Sequence, residues 1–231
     1  MSKKFIISTE STSDLTDVIA EKNGIVRLPL VNYVDEETFG GDTGRRITEQ
    51  VLYGRMREGA KVGTSAVSPE ILREFFEGKV KEGYGILHVS FSSALSCCYS
   101  NACLAAEEVR EEYQDAAIIV VDSLSASAGQ GLLVDYCCRM RANGSSLEET
   151  AEWLEKHKLN LNHEFTVDDL KYLRKGGRIS ATAAMIGAII NVKPVLHMDD
   201  KGRLVSVSNV RGRKKALAAM VAAWKEDSWR G

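Results

Sequence analysis

Proline is scarce in this 231-residue chain, three residues in all, so little of it is barred from helix or sheet by a fixed φ. Long apolar runs are missing too. The first, Phe5 to Ile7, is too short for the core of a signal peptide, and none later approaches the roughly twenty residues of a membrane span. Excess charge of either sign is absent: 30 Lys and Arg stand against 32 Asp and Glu, a net −2, which gives no general pull towards nucleic acid or an anionic membrane surface. The P-loop and GxGxxG patterns are absent, so nucleotide phosphate chemistry has no support, and no GxSxG elbow marks a hydrolase serine. Cysteine occurs five times without CxxC or Cys/His zinc spacing, as the adjacent pairs Cys97–Cys98 and Cys137–Cys138 with Cys103. Adjacent cysteines bridge each other only with strain, so the expectation is reduced thiols in a cytoplasmic protein with no metal.

What is present is an alternation of strands and helices. With 44% hydrophobic and 27% charged residues the chain reads as an ordinary globular protein, long enough for one large domain or two small ones. "KKFIIS", "YGILHVS" and "AAIIVVDS" read as apolar strands between helices, the mark of a parallel sheet covered on both faces. "SPEILREFFEGKVKEG" carries a helix with Ser68 as cap, Pro69 at its first position and Ile71, Leu72, Phe75, Phe76 and Val80 on one face. Ser13 is the expected cap of a helix ending near Gly24, and Ser146 with Glu149 forms a capping box. "IVRLPLVNYV" reads as extended with a bend at Pro29, and "DEETFGGDTG" as a loop. Near residue 160 the pattern changes to "LNHEFTV", a short helix ending on Gly176 and Gly177, a small-residue helix "ISATAAMIGAIIN", a hairpin about Asp199–Gly202 and a basic helix. The expectation is an α/β fold with a three-layer parallel-sheet domain over 1–162 and a mixed-sheet α+β domain over 163–231.

Two stretches carry more hydroxyls than capping requires. "KVGTSAVSPE" holds Thr64, Ser65 and Ser68, and "SFSSALSCCYS" holds Ser90, Ser92, Ser93 and Ser96. In an open α/β sheet ligands collect where the carboxyl ends of strands lead into helix N-termini. Free N–H groups and the helix dipole favour an anion there, and hydroxyls add donors without net charge, so a carboxylate or phosphate is the expected guest. The plainer reading makes Ser68 and one of Ser92 and Ser93 simple caps. His88, inside an apolar strand, reads as a satisfied core residue, and His157 as a solvated one on a charged helix face. "RKGGRIS" reads as a helix end with flanking charges. From Lys201 onward eight basic residues face only Glu226 and Asp227, but without interleaved aromatics or a docking motif; an acidic protein partner fits them at least as well as nucleic acid.

"TSAVSP" from Thr64, "SSALSCCYSNA" from Ser92, "VVDS" ending at Ser123, "FTVDDLKYLRKGGRIS" from Phe165 and "VKPVLHMDDKGRL" from Val192 together resemble the DegV family, over nearly the whole chain. The resemblance implies two α/β domains with a fatty acid lying between them, and a role as the binding subunit that presents the acyl carboxyl to a separate fatty-acid kinase catalytic subunit. It implies further that Thr64 and Ser96 hold the carboxyl, with Ser65, Ser93 and Arg178 in support, and that the protein is itself neither an enzyme nor dependent on a cofactor. Glu10–Ser11 stands where the family has Asp-Ser, and Cys97 where it has Gly. Members continue into further strands and a helix, so the resemblance implies an incomplete second domain. Burying an acyl chain yields about 0.8 kcal/mol per methylene, on the order of 10 kcal/mol for about fifteen, so apolar contact would supply affinity and the hydroxyls would orient the head. Small residues of "ATAAMIGAII" could line the tunnel or pack helices closely. Two other readings stand beside this one: an enzyme acting on a small carboxylate or phosphorylated ligand with Ser96 as nucleophile, and a basic interaction module built on "RGRKK".

Overall fold

The computed structural model describes residues 4–41, 43–179 and 191–227 and divides the chain into two compact units, Met1–Lys158 and Leu159–Gly231. Most of the small-residue stretch expected as a helix, 180–190, lies outside the described residues, as do positions 228–231.

In the first unit β1 (Phe5–Glu10) is followed by a 3-10 turn and helix α1 (Asp17–Asn23). The cap of α1 is Thr16, whose hydroxyl accepts the Ile19 N–H, and not the expected Ser13. Ser13 is occupied three residues earlier, donating to the Glu10 carbonyl inside the 3-10 turn, and Asp14 then takes a left-handed φ of 51° before the helix starts. The extended run about Pro29 is two strands in two different sheets: β2 (Ile25–Leu28) lies beside β1, whereas β3 (Val31–Val34) turns into β4 (Glu37–Phe39). Helix α2 (Glu49–Arg57) leads to β5 (Val62–Ser65), which pairs antiparallel with β3. Part of "DEETFGGDTG" is therefore strand, closed by Gly40 at φ 77°, where a Cβ would meet the Leu30 carbonyl oxygen at 2.2 Å.

Helix α3 (Pro69–Lys81), β6 (Gly85–Ser90), α4 (Cys98–Glu112), β7 (Ile118–Asp122), α5 (Ser127–Ala142) and α6 (Leu147–His157) complete the unit. Strand order is β2-β1-β6-β7, all parallel. Alternation along β6 assigns its two faces. Ile86 and His88 face α3 and α4, with Ile86 in one core cluster beside Leu72, Phe76, Cys98 and Ala102, and the His88 ring edge-on to Phe76 at 5.6 Å. Gly85 faces the other side, where a Cβ would come within 3.1 Å of Leu147 on α6. Small residues on α4, Ala102, Ala105 and Ala106, are fully buried and let α3 pack closely. The capping box on α6 is present, Ser146 Oγ accepting the Glu149 N–H and Glu149 accepting the Ser146 N–H.

The second unit contains β8 (Glu164–Thr166), the short helix α7 (Lys171–Lys175), β9 (Val192–Met198), β10 (Leu204–Arg211) and α8 (Arg213–Asp227). Its described strands run antiparallel in the order β10-β9-β8, over a small core of Leu170, Ile179 and Leu196. The expected hairpin turn is present: Asp199 Oδ1 accepts the N–H groups of Lys201 and Arg203, and Gly202 has φ 71°.

Candidate functional site

The two hydroxyl-rich stretches lie at neighbouring places in the first unit. Thr64 and Ser65 lie in β5, opposite Asn32 and Val31, and both are exposed. Two residues further on, Val67 enters the core beside Cys98 and Ala102, and Asn101 Nδ2 on α4 donates to the Val67 carbonyl at 2.8 Å. That bond ties the segment after Thr64–Ser65 to the first turn of the helix entered from Ser92–Ser96. Ser68 has the duty expected of it, capping α3 by accepting the Ile71 N–H.

The loop from β6 into α4 differs from expectation in one respect that matters for binding. Its backbone donors are largely occupied by the protein. The N–H of Ser92 is bonded to the Ser125 carbonyl, that of Ser93 to Asp122 Oδ1 at 3.2 Å, that of Ala94 to Ser92 Oγ, and those of Leu95 and Ser96 to the Ser92 carbonyl. Ser92 is accordingly a buried loop organiser and not the cap of α4. Hydroxyls remain. Among the described residues, none bonds the side-chain hydroxyl of Thr64, Ser65 or Ser93. Ser96, half-buried, accepts the Cys98 N–H at 3.3 Å and points its proton at Cys98 Sγ, 3.2 Å away. Sulfur is a weak acceptor, so an incoming carboxylate can take over that proton at small cost. Burial pushes the Cys98 thiol up to about 11, which keeps it neutral beside this hydroxyl. Arg178 lies in the second unit, exposed, with Nη1 donating to the Gly176 carbonyl.

Beneath the loop runs a polar seam that joins Glu10, His88, Ser90 and Gln130. Glu10, fully buried at the carboxyl end of β1, accepts from His88 Nε2 (3.1 Å), Ser90 Oγ (2.6 Å), the Phe91 N–H (2.9 Å) and Gln130 Nε2 (3.0 Å). Gln130 reaches it from α5 and also spans Thr9 and Thr12. His88 Nδ1 meets Ser8 Oγ at 3.0 Å, so His88 is indeed a satisfied core residue. Burial by itself drives the Glu10 carboxyl upward, but the charge of His88 and the bonds from His88, Ser90 and Phe91 outweigh it and hold the pKa below its ordinary value. Ser8, His88 and Glu10 have the connectivity of a nucleophile–base–acid relay, yet each is wholly buried and no substrate can reach Ser8. The side-chain bonds of Ser96, in contrast, run to Cys98, and neither a histidine nor a carboxylate is among its partners in the described residues.

Glu10 and Asp122 are the last residues of their strands, and Asn101 sits one turn into α4. The position of Glu10 and Asp122 at carboxyl ends of parallel strands was the signal available in the sequence, since that is where such sheets assemble their sites. Among the described residues no cluster of His, Cys, Asp and Glu could hold a metal ion, and no helix is long and apolar enough to cross a membrane.

Comparison with known proteins yields consistent similarities. A family model described as "Uncharacterised protein, DegV family" matches residues 4–230. A DegV domain-containing protein of Clostridium perfringens is 41% identical over 215 residues, covering 93% of this chain and 74% of the relative. The solved structure of a stearic-acid-binding protein from Eubacterium ventriosum superposes with a TM-score of 0.88 at 30% identity, over 96% of this chain and 76% of the other. A fatty-acid-binding DegV protein from Thermus thermophilus gives a TM-score of 0.85, also at 30% identity, over 97% and 78%.

Proposed function

This chain belongs to the DegV family, and from that premise we propose that it is a fatty-acid-binding protein that presents the acyl carboxyl to a separate, ATP-using fatty-acid kinase subunit in the cytoplasm. Thr64 and Ser96 hold the carboxyl, Ser65 and Ser93 assist, and Arg178 is a supporting cation. The observation that carries the reading is the pattern of unspent donors. The β6–α4 loop has given most of its N–H groups to the protein, while the exposed hydroxyls of Thr64, Ser65 and Ser93 have no protein partner among the described residues and that of Ser96 is engaged only by sulfur as acceptor. Fatty-acid binding by relatives of 30% identity supports the choice of ligand. The hydroxyls orient a carboxylate, and Arg178, the supporting cation, is exposed, so no fixed charge is buried in an apolar tunnel when no lipid is bound.

Organic extraction of the purified protein followed by mass spectrometry is expected to release a long-chain fatty acid in near-stoichiometric amount. The double variant Thr64→Ala/Ser96→Ala is then expected to bind acid and methyl ester alike. Loss of hydrogen bonds to a charged group, about 1.5–3 kcal/mol, lowers the preference for the acid by tenfold or more. An unchanged acid preference in that variant rejects the head-group assignment, and a folded wild type that neither releases nor binds a fatty acid rejects the function.

A further inference from the structure

Two loops of the first unit each turn one N–H group onto a single point beside the proposed head site, and such convergent donors form an anion seat. The N–H of Ser93, from the β6–α4 loop, and the N–H of Leu124, from the β7–α5 loop, converge on a single oxygen, Asp122 Oδ1, at 3.2 and 3.0 Å. Leu124 adopts a left-handed φ of 49°, a conformation uncommon for a residue with a branched side chain, at the point where its N–H turns onto that oxygen. The carbonyl of Asp122 is itself fixed, accepting from Lys158 Nζ at 2.9 Å, and Lys158 is paired with Glu155. Ser93 is exposed and Asp122 and Leu124 are half-buried, so solvent ions reach this place.

We propose that Asp122 is a specificity-determining residue: its carboxylate occupies the seat formed by the Ser93 and Leu124 N–H groups, so that inorganic phosphate and other small anions find no site in the loop and an acyl carboxyl is met there by hydroxyls. Two N–H donors aimed at one place are the geometry by which loops before helices capture phosphate. Here the protein fills that geometry with its own anion. Selectivity then follows from subtraction: a small dianion needs many donors, and the loop has few left, whereas a fatty acid draws its affinity from the buried chain and needs only one or two hydroxyls for its head. The role in acyl-acid selectivity rests on the fatty-acid reading; the occupancy of the seat by Asp122 does not.

The test is a titration with inorganic phosphate at constant ionic strength, following the backbone amide signals of Ser93 and Leu124 in the full chain. In wild type these signals are expected to stay still. In Asp122→Ala they are expected to move saturably with phosphate and not with chloride, and saturating phosphate is expected to weaken binding of cis-parinaric acid at least about tenfold, the worth of one charge-assisted hydrogen bond. Asp122→Asn keeps an acceptor without the charge and is expected to show the same shifts at higher phosphate; it decides the matter if the alanine variant does not fold. Amides that ignore phosphate in both variants, or that already move as far in wild type, overturn the proposal. Wild type that fails to bind cis-parinaric acid removes the fatty-acid reading, and with it the role in acyl selectivity, while the amide titration still decides whether Asp122 fills the seat.

Discussion

Replacing Glu10 by alanine removes one acceptor from four donors at once. His88 Nε2, Ser90 Oγ and the Phe91 N–H lose the acceptor shown for each here, and Gln130 Nε2 keeps Thr9 Oγ1 as its main partner. A buried donor left unmet costs about 1–3 kcal/mol, and three are left so, which makes a loss of about 4 kcal/mol the expectation. Against a total stability of about 5–15 kcal/mol this is a large fraction. With a urea m value of about 2–3 kcal/mol/M, the midpoint should fall by roughly 1.3–2 M. Urea titration read through the exchange protection of β6 amides reports the unit concerned. Protonation state adds a second prediction from the same residue. Folding holds the carboxyl below its ordinary 4.5, so its stabilising contribution is complete above 4.5 and is lost as pH falls through the lowered folded value. Glu10→Gln resembles the protonated acid in shape and charge, so its stability gap to wild type should be full at pH 7 and should close over that acid range. A Glu10→Ala loss below about 1 kcal/mol, or a wild-type-to-Gln gap that is flat with pH, would refute the reasoning.

Two other perturbations read packing and thiol exposure. At Gly131 a Cβ would sit 2.5 Å from the Ser13 carbonyl oxygen and 3.3 Å from Leu15, so Gly131→Ala should cost about 1–3 kcal/mol, visible as a lowered thermal midpoint. Thiol labelling of the native protein at pH 8 should modify exposed Cys97 first and leave Cys98, Cys137 and Cys138 until denaturant is added, because burial pushes those three thiols up to about 11, 12 and 11; rapid native labelling of Cys137 would contradict the packing of α5.

The elements legible in the sequence were those governed by local rules. Helix α3 has its cap, its N1 proline and a single apolar face, and α6 has its capping box, so each is specified within its own dozen residues. The apolar strands β1, β6 and β7 follow from hydropathy between helices, and the parallel sheet follows from them. Strand β5 could not be read this way. All four of its residues are exposed, Val62 and Gly63 give no alternation, and only pairing with β3 makes Thr64 and Ser65 a strand. Pro29 marked a bend, but not that the strands on either side join different sheets. At the site the hydroxyl-rich segments were visible as composition, whereas the partners of their backbone were not. Asp122 acts on Ser93 across 29 positions and Glu10 on Phe91 across 81, separations that no local pattern encodes.

The seam around Glu10 also bears on how the chain finds its fold. Its members come from positions 8–12, 88–91 and 130, and Ser8 lies level with His88 because β1 and β6 are paired in one particular alignment. In a sheet whose strands are apolar on both faces, hydropathy discriminates poorly between that alignment and one shifted by a single residue. A shift of one turns every side chain of the strand to the opposite face. Glu10 would then be thrust among aliphatic side chains while His88, Ser90 and the Phe91 N–H faced one another without an acceptor. The buried polar seam thus acts as a key that fits only one setting of the N-terminal strand.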